Sequence, residues 1–149
     1  MTANQFQLRQ ATHSDLPEIA ALLTEGLSFD GLTIVQTAEE LEEEFGGPYC
    51  FLEQDVMVAE YESHIIGVGY TYFLPSETKE ERCYTFGTVK PSYRRKGVGT
   101  EILKWATERA ENLLRSTNRT IPKYLRSDVG TSNNSADFLF QKFNMRPVR

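Results

Sequence analysis

An α/β fold, a mixed β-sheet flanked by four helices, is the architecture this sequence predicts, and three observations predict it. Runs of β-branched and aromatic residues with a two-residue period alternate with segments whose apolar residues recur every three to four positions. Turn formers separate these segments. The resulting order, β-α-α-β-β-β-α-β-α-β, interleaves strands with helices, which implies one covered sheet instead of separate helical and strand domains. A length of 149 residues with 40% hydrophobic and 11% aromatic side chains suits a single domain over residues 1–149.

Phe6 and Leu8 alternate with polar neighbours and mark a strand over 5–10. Thr12, Ser14 and Asp15 then offer helix-start chemistry. Pro17 sits where its missing amide hydrogen costs little, and Gly26 reads as the stop, giving a helix over 14–25. Thr37-Ala38-Glu39-Glu40 has a capping-box pattern, so a second short helix starts there and ends near Gly46-Gly47-Pro48. Strand-like runs at 55–61 and 64–74 flank the polar pair Glu62-Ser63, a hairpin. After the polar segment 75–81, residues 83–89 form another strand, ended by Pro91. Ile102, Leu103, Trp105, Ala106, Ala110, Leu113 and Leu114 recur at helical spacing, which predicts a helix over 99–114. A short strand follows at 124–129. Ala136, Leu139, Phe140 and Phe143 share one face of a helix over 132–142, and Met145 begins a final extended segment.

The formal net charge of −5 argues against broad binding to nucleic acid or an anionic membrane, so any anion must be held locally. Two cysteines, Cys50 and Cys83, and the lack of a long apolar stretch predict a reducing, cytoplasmic setting. His13 falls in a cap segment and His64 in a turn, so no metal site is expected.

The segment Arg94-Arg95-Lys96-Gly97-Val98-Gly99-Thr100 joins a strand to the best-patterned helix. Its amides point into the space at a helix N-terminus, where the macrodipole and unpaired N–H groups favour an anion. Gly97 and Gly99 let backbone approach a ligand, and Arg94, Arg95 and Lys96 concentrate positive charge in an acidic chain. The spacing fits neither a Walker A loop nor the dinucleotide fingerprint Gly-x-Gly-x-x-Gly. A solvated turn with a favourable helix cap would use the same residues.

The run Val89-Lys90-Pro91-Ser92-Tyr93-Arg94-Arg95-Lys96-Gly97-Val98-Gly99-Thr100-Glu101-Ile102-Leu103 resembles the acetyl-CoA signature of the GNAT family of N-acetyltransferases, whose core is Arg/Gln-x-x-Gly-x-Gly/Ala. A second match, Asn133-x-x-Ala136-x-x-Leu139-Phe140-x-Lys142-Phe143-Asn144-Met145, resembles the family's Asn-x-x-Ala-x-x-Leu-Tyr-x-Lys-x-Gly-Phe segment. The opening Leu8-Arg9-Gln10-Ala11-Thr12-x-x-Asp15-Leu16-Pro17 is similar to the family's first strand and helix. The resemblance implies acetyl-CoA as acetyl donor and an amine as acceptor. It implies that the amides from Arg95 through Lys96, Gly97, Val98 and Gly99 to Thr100 cradle the pyrophosphate, with the Arg94 side chain or backbone completing the site. It also implies that Val89 holds the pantetheine arm through its backbone. Asn133 matches a position that contacts that arm, and an asparagine there is equally a helix N-cap.

The chain departs from the pattern at the chemistry. The family's acid tyrosine is Phe140 here, which has no proton to give, and the position of a glutamate base in some members is Cys83. A cysteine is more often a small buried residue. Tyr84, Glu80 and Glu81 could face the acceptor or simply sit on the sheet surface. The acidic run Glu39-Glu40-Leu41-Glu42-Glu43-Glu44 could draw in a cationic amine or be a solvated helix face. Asn144 replaces a glycine at a left-handed cap. Two functions therefore stand: an N-acetyltransferase acting on a small molecule or peptide, and a non-catalytic acyl-CoA-binding domain. The family fold normally adds one more strand beyond Arg146-Pro147-Val148-Arg149, so a second such domain of a longer protein, or a homodimer partner, is expected to complete the sheet edge.

Overall fold

The computed structural model describes residues 5–76, 79–117, 119–127 and 134–147. Strand β1 (Gln7–Gln10) leads through a 3-10 turn, His13–Asp15, into α1 (Leu16–Phe29). Helix α2 (Ala38–Glu44) and the single turn α3 (Leu52–Asp55) precede strands β2 (Val56–Tyr61), β3 (His64–Leu74) and β4 (Glu81–Val89). A second 3-10 turn, Pro91–Tyr93, leads to α4 (Val98–Arg115), β5 (Lys123–Arg126) and α5 (Asn134–Lys142). The five strands lie in the order β1-β2-β3-β4-β5. All neighbours are antiparallel except β4 and β5, which run parallel.

Alternation along the strands gives each face of the sheet its own core. Leu16, Ile19, Leu23 and Leu41 of α1 and α2 pack on Val56, Val58, Val68 and Tyr70. On the other face Val98 and Ile102 of α4 join Ala59, Ile66 and Phe6. Each such buried side chain contributes about 1.5–3 kcal/mol. Gly67 and Gly69 let α4 come close: a Cβ on Gly67 would lie 2.8 Å from Ile102 and 2.9 Å from Val98, and one on Gly69 would collide with Ile102. The β2–β3 register shifts between Ala59 and Glu60, a bulge at Ile66 that puts Ile66 and Gly67 on the same face, toward α4.

Several expectations change in physical detail. The first helix runs on past Gly26, which is buried within it. Its missing side chain serves packing, since a Cβ there would collide with the Thr88 side chain. The helix ends instead where Asp30 and Gly31 donate to the Gly26 and Ser28 carbonyls, with Gly31 at φ 90°. Thr37 caps α2 by accepting from the Glu40 amide at 3.2 Å, while its hydroxyl donates to the Glu40 carboxylate at 3.0 Å, so only half of the capping box forms. Helix α3 has no period long enough to predict. It closes because Asp55 accepts from the Phe51 amide at 2.8 Å and returns its own amide to the Phe51 carbonyl at 2.8 Å. Glu62 and Ser63 both adopt positive φ, as a two-residue hairpin turn requires. The strand expected over 124–129 spans Lys123–Arg126, and residues 128–130 lie outside the described residues. Met145 begins no strand among the described residues: the chain turns at Phe143 and Asn144, the latter at φ 60°.

Gly26→Ala is expected to destabilise the chain by about 1–3 kcal/mol, because the new methyl must displace Thr88. Urea denaturation checks it, and an unchanged midpoint would show that α1 and β4 do not pack this tightly.

Candidate functional site

Among the described residues, strand β4 is paired on both sides for only part of its length. Its parallel partner β5 there matches Glu81 to Tyr84. On the β3 side the pairing continues to Gly67–Val89, with the Lys90 amide donating to the Ile66 carbonyl at 2.8 Å. Antiparallel strands point alternate residues at alternate neighbours, so Thr85, Gly87 and Val89 direct their backbone groups away from β3, on the side where β5 pairs only Glu81 to Tyr84 among the described residues. Ser127 closes the fork by donating its hydroxyl to the Thr85 carbonyl at 2.7 Å. At Gly87 a Cβ would collide with the Val68 carbonyl, so this exposed edge needs glycine.

The segment that follows β4 is curled. Arg95 stands at φ 64° and Gly97, the residue before α4, at φ 89°. Two left-handed residues in five turn successive amides inward, a concavity suited to an anion. No side chain caps α4, and the amides of Val98, Gly99 and Thr100 meet no acceptor among the described residues. They begin an 18-residue helix, so its partial positive end opens here.

Fork and loop share one cavity of about 810 Å³. Of the residues singled out from sequence, Val89, Arg94, Arg95, Gly97, Gly99 and Thr100 line it. Lys96 is exposed beside it, and the Val98 side chain is buried in the α4 core, which leaves that residue only its amide to offer. Asn133 lies outside the described residues. The Arg94 side chain is already engaged. Its guanidinium holds Asp30 at 2.6 and 3.2 Å, the Val89 carbonyl at 2.8 Å and the Thr88 hydroxyl at 3.3 Å. Arg94 thus fastens the loop to the end of α1, and the positive charge left for an anion belongs to Arg95 and Lys96. Val89 for the same reason keeps only its outward N–H.

The remaining sequence candidates separate cleanly. Phe140 lines the cavity without a proton to offer. Cys83 is fully buried, and that burial, with the nearby Asp55 carboxylate, pushes its thiol up to about 12. It is a core residue, not a base. Tyr84 stacks on Phe86 with centroids 6.0 Å apart and stays outside the cavity lining. Glu80 meets Arg126 at 3.5 Å.

Glu81 is neither at the surface nor near an acceptor. It is buried, taking Arg119 at 3.1 Å and the Thr117 hydroxyl at 2.5 Å, with Lys123 at 3.6 Å. Burial raises its carboxyl, but the Thr117 hydroxyl, the Ser76 amide and the two cations outweigh that and hold it below its ordinary value. Lys123 also donates to the Thr117 carbonyl at 3.1 Å, so the cluster ties β5 to the end of α4 and fixes the base of the fork. In the acidic run, Glu42 meets His13 at 3.0 Å and the Tyr72 hydroxyl donates to Glu44; none of these glutamates lines the cavity.

Sequence reading missed Asp30, Gln36, Tyr70, Thr85 and Ser127, all in the lining. Ser127 follows a strand and Asp30 ends a helix, but nothing local tells either residue that a fork or an arginine waits for it. Among the described residues no group of three or more His, Cys, Asp or Glu is placed to hold a metal ion, and no helix is long and apolar enough to cross a membrane.

A model of the acetyltransferase (GNAT) domain family matches residues 53–144, a span that includes the fork, the loop and α5. Among solved structures, a GCN5-related N-acetyltransferase from Sphaerobacter thermophilus is 23% identical with a TM-score of 0.81, all of this chain aligning with 46% of that one. The chain therefore spans about half the length of that relative. A transcriptional regulator from Bacillus halodurans C-125 is 16% identical with a TM-score of 0.73, covering 97% of this chain and 95% of that one. The protein YncA of Salmonella typhimurium, solved with its cofactor acetyl-CoA, is 15% identical with a TM-score of 0.68, covering 94% and 79%. At these identities the likeness establishes the fold. No curated protein matches the sequence.

Because the Glu81 carboxyl is held below its ordinary 4.5, its stabilising contribution is present above that value and is lost as pH falls through the folded one. Acid unfolding followed by circular dichroism should show the gap in stability between the natural chain and Glu81→Gln narrowing below that pH. A gap independent of pH would mean that the carboxylate is not paired as described.

Proposed function

The chain belongs to the GNAT acetyltransferase family, and from that premise we propose that residues 1–149 act as one domain that binds acetyl-CoA and transfers its acetyl group to an amine. The observation that carries the reading is a single cavity that joins a curled loop, whose amides meet no acceptor among the described residues, to a strand edge that has no partner among the described residues. The coenzyme's pyrophosphate suits the first. The amides of Arg95, Lys96, Gly97, Val98, Gly99 and Thr100 would surround it, with the Arg95 and Lys96 charges and the Thr100 hydroxyl beside them. Its pantetheine arm, with amides spaced like those of a peptide, suits the second, lying as an added strand along Gly87 and Val89. Arg94 contributes by holding the loop's shape through Asp30. Asn133, just before α5, is assigned to the same arm. That a protein of this fold, YncA, holds acetyl-CoA supports the reading.

Acetyl-CoA supplies an activated thioester carbonyl. Transfer asks three things of the chain: a neutral amine, a donor for the carbonyl oxygen as charge develops, and a proton for the departing thiolate. An outward N–H at the fork, on Gly87, is fixed before the reaction and provides the donor without reorganisation. Phe140 has no proton to give, the Ser127 hydroxyl already donates to the Thr85 carbonyl, and burial raises the Tyr70 phenol and so makes it a weaker acid; the proton therefore reaches the thiolate through water. Phe140 also favours a second reading, a domain that holds an acyl-CoA without turnover.

Gly97→Glu should weaken acetyl-CoA binding about a hundredfold or more in calorimetry, by placing charge and bulk against the pyrophosphate. Since Gly97 is at φ 89°, a folding control is needed, and the exposed charge reversal Lys96→Glu should cost about tenfold. Unchanged affinity in both would relocate the site. Thiol release over a panel of amines separates the two readings: binding without release identifies the non-catalytic one.

A further inference from the structure

Beyond the fork the cavity continues to the α1 side of the sheet, where Leu23, Leu27, Ile34, Val68, Tyr70 and Phe86 form its wall. Asp30 is the one carboxylate among the described lining residues, and both of its oxygens are occupied by Arg94. The α2 glutamates, the other source of negative charge nearby, stay out of the lining. The cationic lining residues, Arg94, Arg95 and Lys142, come from the loop and α5 and not from this wall. Besides the Tyr70 hydroxyl, the polar side chain of Gln36 stands within it. Gln36 is fastened by its backbone amide, which donates to the Thr24 hydroxyl at 3.0 Å, a hydroxyl that itself donates to the Ala20 carbonyl at 2.9 Å. Its buried side-chain carbonyl oxygen has no hydrogen-bond partner among the described residues. A buried acceptor left unpaired is unfavourable, and a donor brought by a ligand would satisfy it.

Resting on the reading of the chain as an acetyl-CoA-dependent N-acetyltransferase, we infer that the acceptor is a monoamine on an uncharged apolar body, an alkylamine or arylalkylamine. The body lies against the Leu27–Ile34 side of the wall, and the amino group donates to the Gln36 side-chain oxygen. A carboxylate, a phosphate or a second ammonium on the acceptor would be desolvated here without a free counter-charge. The same low polarity favours the amine in its neutral, nucleophilic form. In the transfer the amine nitrogen forms a bond to the acetyl carbon, the carbon–sulfur bond breaks, and the amine's proton ends on the thiolate, so the products are the amide and free coenzyme A.

Calorimetry of the full chain, alone and saturated with coenzyme A, against ethylamine, butylamine, hexylamine, phenethylamine, phenylalanine and spermidine tests this. Affinity should rise about fourfold per added methylene until the wall is filled. Phenethylamine should bind at least about tenfold tighter than phenylalanine, which adds a carboxylate to the same ring, and than spermidine. Ile34→Glu, at a half-exposed position that tolerates charge, should shift preference toward spermidine by about tenfold, and Gln36→Leu should weaken phenethylamine by about as much. A flat methylene series, or tighter binding of phenylalanine or spermidine, overturns the inference. Acetyl-CoA titrated separately distinguishes the failures: cofactor binding with a flat amine series sinks this inference alone, while loss of cofactor binding sinks the proposed function and leaves the amine series to judge the wall.

Discussion

Among the described residues, strand β4 keeps β5 as a neighbour only as far as Tyr84, although its pairing with β3 continues to Val89. A sheet edge opened in this way would ordinarily be a liability, since unpaired backbone groups invite another strand. Here the opening is held by specific chemistry at both ends. The Glu81 cluster clamps the base, where Arg119 and Lys123 converge on a buried carboxylate. The Ser127 hydroxyl ends the contact, and Gly87 supplies a position where no side chain could be accommodated. At the fork, groups from the α1 face and the α4 face line one space.

Coupling between those two halves runs through Arg94. The same guanidinium touches Asp30 at the end of α1 and the Val89 carbonyl at the tip of β4, so the geometry of the anion loop is linked to the segment that walls the apolar side. Gly26 reinforces the link, because only a glycine lets α1 lie against Thr88, which in turn accepts from Arg94. A cation conspicuous in sequence as a ligand-binding charge is thus engaged as a brace, and in the proposed function the attraction for the coenzyme falls to Arg95, Lys96 and the α4 N-terminus.

Much of this was legible in the sequence because it depends on local chemistry. The period of Ile102, Leu103, Ala106 and Ala110 defines α4, and Gly97 and Gly99 mark where backbone must turn or come close. Those residues do line the cavity or cap the helix. The errors arose where a long-range contact decides. Gly26 looked like a helix stop and is a packing contact; Glu81 looked like a surface charge and is a buried anchor whose side-chain partners, Thr117, Arg119 and Lys123, are distant in sequence. Ile34, Gln36 and Tyr70 share a wall only because α1 folds over β3, and no spacing along the chain encodes that.

The most direct measurement is a backbone amide NMR titration with acetyl-CoA. The largest shifts should fall on Gly87, Val89 and Gly97 to Thr100, the outward strand edge and the first turn of α4, with smaller changes on β1 and β2. Shifts that spare both the fork and the loop, or that cluster on β1, would contradict the assignment of this opening as the place where the coenzyme is held.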